Sequence, residues 1–347
     1  MVVVHARRLQ TGVSAHDSGW LEAGLRALMW AEPFIAASFL FIVGFSLVLA
    51  RRRYAGGVAW RRRLLRRAAT LYALAILLFL PQYGWQWPDA LASPGVLSAI
   101  AVAIAAVGTA LGSARPAASL GALALAGLLV TGLLDAVGLT VAGLNGGPGG
   151  VFPLVSFASA GALAALLQRR RGTRGLAVAT SASLPLLGAC LASGASWVTR
   201  QPSLYLDYGG NVAGLSLLEG LPQTRTVTTF WNHSSIGAVG LLPLLGASLL
   251  LFVAPQHQTM SLLPFRLLRL LGRQALAVYV GHLLVLGVIS MAGMGPTSAF
   301  GTWLLVAMLT ALAAAFAAAW EQRRAASRGT SPPPARPGAR SPSHSAG

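Results

Sequence analysis

The sequence predicts an all-α, polytopic transmembrane helix bundle of about nine complete spans, preceded by the outer end of a truncated first helix. Three observations carry this. Hydrophobic residues fill 55% of the 347 positions and charged residues only 10%, a balance that a soluble domain of this length does not show. The apolar residues fall in runs of about 17 to 26, near the roughly 20 needed to cross about 30 Å of hydrocarbon. The basic residues, all of them arginine, sit between alternate runs, and positive loops resist translocation across a bilayer.

The runs follow in order. Residues 33–50, PFIAASFLFIVGFSLVLA, are uncharged, whereas RRRYAGGVAWRRRLLRR at 51–67 carries eight arginines. This places residue 33 outside and residue 51 inside. Upstream, MVVVH is read as the outer end of a first helix whose beginning is missing; the alternative is a short exported N-terminus. Residues 64–80 return outward and end in PQYGWQWPDA, whose Tyr83, Trp85 and Trp87 suit the headgroup layer. Residues 94–111 go inward and 119–144 outward, with Asp135 as an acid inside an apolar span, a position where a charge must face protein or water. Its plainer role is a brace between two helices.

Residues 151–167 run inward to QRRRGTRG, and 176–194 run outward. A long outer segment, 195–235, follows, and loops of that length usually carry function. Residues 236–254, 275–292 and 300–320 complete the spans. Residues 1–320 thus form the transmembrane domain, and the basic, Pro- and Ser-rich tail 321–347 is expected to be disordered in the cytoplasm. Charge supports this layout. Of the 26 arginines, all but Arg7, Arg8, Arg26, Arg200 and Arg225 fall in inner segments, while Asp17, Glu22, Glu32, Asp89, Asp207 and Glu219 fall outside.

The net charge of +18 is therefore a membrane-topology signal, and no nucleic-acid partner is implied. The single cysteine, Cys190, excludes an intrachain disulfide and a cysteine metal cluster. There is no P-loop, HExxH or G-x-S-x-G motif, and no run of acids for a metal. Histidine becomes the most informative residue type. His5 and His282 are the two within or beside apolar helices, and Tyr279, three residues before His282, shares its helix face. A lone helical histidine most often packs through a hydrogen bond, yet its near-neutral pKa also suits it to draw a proton from a hydroxyl or amine.

MVVVHA, the FLFIVGFSL run, RRRLLRRAATLYALAILL, SPGVLSAIAVAIAAV, the loop exit TFWNHSS and LGRQALAVYVGHLLVLGVI together resemble the integral membrane acyltransferases related to heparan-alpha-glucosaminide N-acetyltransferase. The late motif L-G-R-x-x-L-x-V-Y-x-x-H is matched by Leu271, Gly272, Arg273, Leu276, Val278, Tyr279 and His282. The resemblance implies transfer of an acyl group, usually acetyl from acetyl-CoA, to an amine or hydroxyl of a sugar or cell-envelope glycan. It implies His5 as the catalytic histidine; His282, the histidine of the late motif, is the second catalytic candidate, and no metal is expected. Asp135, Tyr279 and the loop residues Trp231, Asn232 and His233 are the supporting and acceptor-site candidates. Inner arginines, Arg51, Arg61, Arg115 and Arg273, are placed to hold the phosphates of a cytoplasmic acyl-CoA. The family's leucine-aspartate-arginine-glycine signature before that histidine is absent here, which fits either the truncated start or an inactive relative. The expected location is the inner (plasma) membrane, with the C-terminus cytoplasmic. The rival reading is a transporter or flippase with Asp135 and His282 as proton-relay groups; the paired broken helices of an inverted repeat are not evident.

Overall fold

The computed structural model describes Val2 and Ala6 and residues 19–30, 32–52, 57–83, 85, 87–137, 139, 141, 143–145, 150–197, 234–253, 270–272 and 274–329. Among them the elements are all α-helical. In chain order they are α1 (Trp20–Trp30), α2 (Glu32–Arg51), α3 (Gly57–Tyr83), the single turn α4 (Asp89–Ala92), α5 (Val96–Ala110), α6 (Pro116–Ala136), α7 (Leu154–Trp197), α8 (Ser235–Val253), α9 (Ala275–Met291) and α10 (Ala299–Gly329).

Among the described residues four stretches are long and apolar enough to cross a membrane, Phe34–Arg51, Pro116–Ala136, Leu154–Ala192 and Ala299–Arg323, and three shorter apolar helices accompany them. Helix α3 has 27 residues, but Arg61, Arg62, Arg63, Arg66 and Arg67 lie on its first turns. The arginine block expected as a loop is thus largely helix, and it shortens the apolar part. The spans expected at 151–167 and 176–194 are two arms of α7, interrupted at Gly172 (φ 66°, ψ −166°). That backbone lies where a side chain is disfavoured and glycine is not. Along a straight helix Ala160 and Ser183 would stand about 35 Å apart. Both instead line one cavity of about 420 Å³, so the chain turns back at Gly172 and the arms lie together.

Helix α7 is the centre of the bundle and packs against α2, α6 and α8. Its first arm buries Leu154, Val155, Phe157, Ala158, Ala162 and Ala165. The small residues let backbones meet: a Cβ on Gly44 of α2 would strike the Ala158 carbonyl, and one on Gly161 would strike the Phe41 carbonyl. Such close crossings are how helices associate in lipid, where burial against apolar tails gives no separate driving force. The short α5 is buried along most of its length and meets α3 through Leu64, which fills the space beside Gly108.

Hydrogen bonds sort the helix ends. Trp60 Nε1, at the start of α3, donates to the Gly108 carbonyl near the end of α5 at 3.1 Å, and the Arg51 guanidinium at the end of α2 lies 5.6 Å above the Trp60 ring. Arg115 precedes α6 directly after that turn. Arg170, beside the α7 turn, lines the same cavity as Ala117 of α6. The arginines of α2, α3, α6 and α7 therefore gather at one end of the bundle. At the other end Tyr72 donates to the Leu91 carbonyl, Gly143 packs against the Ala92 carbonyl, and Cys190 Sγ donates to the Ile236 carbonyl at 2.7 Å. Trp85 and Trp87 are exposed there, as rings that sit in a headgroup layer should be.

Three boundaries differ from expectation. Helix α6 ends at Ala136, well before 144. Asn145 replaces a further turn by accepting from Val141 N at 2.8 Å and donating to the Leu139 carbonyl at 2.9 Å, and Gly143, at φ 77°, favours the break. Helix α10 continues to Gly329, past the boundary placed at 320, because EQRRAASR is made mostly of good helix formers. Residues 330–347 lie outside the described residues. Finally, α1 was not expected. It docks on α10, with Trp303 Nε1 donating to the Leu21 carbonyl at 3.0 Å.

Candidate functional site

Among the described residues, helix α9 brings two of the candidates, Tyr279 and His282, together. Tyr279 and His282 stand edge to face, ring centroids 5.4 Å apart at 77°, as their spacing on one helix face requires. His282 is 4% exposed. Its Nδ1 lies 3.0 Å from the Val278 carbonyl. A carbonyl only accepts, so Nδ1 carries the proton, and in the neutral ring Nε2 carries the basic lone pair. The ring is thus oriented by its own helix, the arrangement a general base needs.

What surrounds α9 is equally informative. Leu283 belongs to the main core, against which Tyr279 and Val280 also pack. Leu286, one turn beyond His282, belongs to a second cluster with Ala6, Leu305, Val306 and Leu309, flanked by Val2, Val285, Ile289 and Trp303. The N-terminal residues Val2 and Ala6 therefore pack against α9 and α10 beside the buried histidine. His5 itself lies outside the described residues, as do Trp231, Asn232, His233 and Arg273.

The remaining candidates separate. Arg51, Arg61 and Arg115 share the arginine end; Arg61 and Arg115 are exposed and Arg51 is half-buried over Trp60. Asp135 lies within the apolar stretch Pro116–Ala136, near its end. It occupies the last turn of α6, half-buried, at the opposite end of the bundle. Within the loop exit TFWNHSS, Ser234 caps α8 by accepting from Gly237 N at 2.9 Å, a helix-start role that accounts for that serine without chemistry.

Glu22 was missed. It was counted only as an outer acid, yet it is 4% exposed on α1, next to the Leu21 carbonyl that holds Trp303. Its signal was legible in spacing: Glu22 and the fully buried Leu25 fall on one face of the helix. Through Trp303, α1 reaches the same second cluster that borders His282. Among the described residues no group of three or more His, Cys, Asp or Glu is placed to hold a metal ion.

A family model described as heparan-alpha-glucosaminide N-acetyltransferase, catalytic, matches residues 1–196. The match spans the N-terminal segment through both arms of α7 and takes in the arginine end; α9 lies beyond it. No curated protein and no solved structure shows a significant match.

Proposed function

The chain belongs to the heparan-alpha-glucosaminide N-acetyltransferase catalytic family, and from that premise we propose that it is a multi-pass membrane acyltransferase moving an acetyl group from acetyl-CoA, or another acyl group from its CoA ester, to an amine or hydroxyl of a sugar or cell-envelope glycan. The family match over residues 1–196 carries the proposal. Two features of the fold support it: the arginines collected at one end, and a buried, oriented imidazole beside the N-terminal segment.

In this reading the arginine end faces the cytoplasm, where acyl-CoA is made, and Arg51, Arg61, Arg115 and Arg273 hold its phosphates by charge-assisted hydrogen bonds. Trp231, Asn232 and His233 shape the acceptor site from the other side, with Asp135 and Tyr279 supporting. His5 takes the proton from the acceptor hydroxyl or amine as its oxygen or nitrogen attacks the thioester carbon; the C–S bond breaks, and the departing CoA thiolate receives a proton. His282 acts on the same proton path through Nε2. Proteoliposomes given acetyl-CoA and an amino sugar should release CoA thiol in step with acetylated sugar. Thiol release no greater than in empty vesicles, across amine and hydroxyl acceptors alike, would overturn the proposal.

About nine spans and a cytoplasmic C-terminus belong to the same proposal, resting on the arginine distribution. In a Cys190→Ala background, a cysteine substituted for Asp207 should react with a membrane-impermeant thiol reagent in intact cells. One substituted for Arg171 should react only after the membrane is opened. The reverse pattern would invert the topology and with it the placing of donor and acceptor.

A further inference from the structure

The cavity at the turn of α7 has no part in acyl transfer as proposed, and its chemistry is distinctive. About 420 Å³ in volume, it is an open cleft lined by Phe41 of α2, Leu163 and Ala164 of the first α7 arm, Leu176 of the second and Leu242 of α8. The polar side chains on its wall do little to change that character: Ser183 donates to the Thr180 carbonyl of its own helix at 2.7 Å. One charged residue, Arg170, lines the cavity. Arg169, Arg171 and Arg174 stand exposed around it, and no acid lies in the 154–197 helix to neutralise them.

We propose that this cavity is a binding site for an anionic phospholipid, with an acyl chain between the two arms of α7 and α8 and the headgroup phosphate on Arg170 and its neighbours. Arginine side chains cannot rest in hydrocarbon at low cost, so the turn marks the membrane–water interface and the cavity opens just beneath it. Basic pockets between helices at that depth suit anionic headgroups. The volume falls in the ordinary range of ligand cavities, roughly 300–1,000 Å³. An acyl-CoA fits the wall poorly, since its pantetheine arm carries amides that would meet no hydrogen-bonding groups there. The bound lipid would join the hinge at Gly172 to α2 and α8.

The inference rests only on the chain being a membrane protein, and lipid retention is read without turnover, so its failure and a failure of acyl transfer are separate results. Full-length protein is recovered from bilayers of equal phosphatidylglycerol and phosphatidylcholine and examined by native mass spectrometry. Wild-type protein should retain phosphatidylglycerol about tenfold over phosphatidylcholine, and Arg170→Gln, an exposed change, should bring the two to near parity, the expected scale for losing a hydrogen bond to a charged group. Ala164→Trp, which fills the cavity, should reduce retention of both lipids, with thermal unfolding as the check on its fold. Equal retention of the two lipids by wild type, or an Arg170→Gln protein that keeps the wild-type preference, overturns the site. So does stoichiometric displacement of the retained lipid by acetyl-CoA, which would give the cavity to the donor instead.

Discussion

Replacing His5 by alanine is expected to lower acetyl transfer by about 10²- to 10⁴-fold, the range for loss of a positioned general base, while leaving the fold intact. Both halves of that expectation have a physical source. The fold should survive because the packing beside this position is made by Val2 and Ala6, which join Leu286, Leu305, Val306 and Leu309, and neither is altered. The turnover should fall because the proton of the attacking hydroxyl or amine then has no positioned acceptor. His282→Ala should also lower kcat. Its ring is oriented by the Val278 carbonyl at 3.0 Å and sits edge-on to Tyr279 at 5.4 Å, so its removal takes away a titrating group and opens a buried space. His282→Gln separates the two effects: it retains volume and a hydrogen-bonding end but cannot act as a base near neutral pH. If His282 shares the proton path, His282→Gln should fall with His282→Ala, and the double variant with His5→Ala should lose much less than the product of the single losses, because residues acting as one unit are non-additive. A His5→Ala protein within about twofold of wild type would remove His5 from the mechanism.

The sequence made the apolar runs and the arginine segments plain because both are one-dimensional signals. A bilayer demands length and low charge, and nothing else in the chain imitates that. It was much less informative about where a helix stops. The helix was expected to reach 144 because the run from 119 is mostly apolar, yet Asn145 supplies backbone hydrogen bonds that let the chain leave it after Ala136, one residue past Asp135. In the same way, the arginines at 61–63 were placed before the span because charge is read as exposure. On α3 they are exposed and helical, while Trp60 and Leu64 on either side of them turn inward to Gly108. The pairing of Tyr279 with His282 was legible, since their spacing alone puts them on one face. Glu22 was legible only in its spacing to Leu25, and a charged residue on an amphipathic segment is normally the solvent face; the docking of α1 on Trp303 reverses that. The meeting of Ala6 with Leu286 joins residues at opposite ends of the chain, which no local pattern announces.

Substituting either glycine at the α2–α7 crossing is expected to have the largest effect on stability of any single change in the bundle. At Gly44 and Gly161 the added Cβ would meet a main-chain carbonyl, of Ala158 and Phe41 respectively, and a carbonyl held in a helix cannot rotate away as a side chain does. The helices must move apart. That separation would loosen contacts along the whole crossing, where Ala37, Leu40, Phe41, Val48, Phe157, Ala158 and Ala162 are buried. Overpacking costs typically about 1–3 kcal/mol and occasionally more, and a backbone-to-backbone clash belongs at the upper end, a large share of the roughly 5–15 kcal/mol that holds a folded domain. Gly161→Ala should therefore lower the midpoint of thermal unfolding in detergent by many degrees, and Gly161→Leu should leave little folded protein to extract. The controls are glycines of the same helices or their neighbours with open space around them. A Cβ at Gly188 of α7 or Gly121 of α6 meets nothing within 4 Å, and alanine there should be neutral or stabilising by about 0.5–1 kcal/mol, since glycine is the poorer helix former. The contrast between the two pairs is what matters: it separates a close helix crossing from a general intolerance of change in membrane helices. If Gly161→Ala unfolded at the same temperature as Gly188→Ala, the α2–α7 contact would not be the one that holds the bundle's centre together.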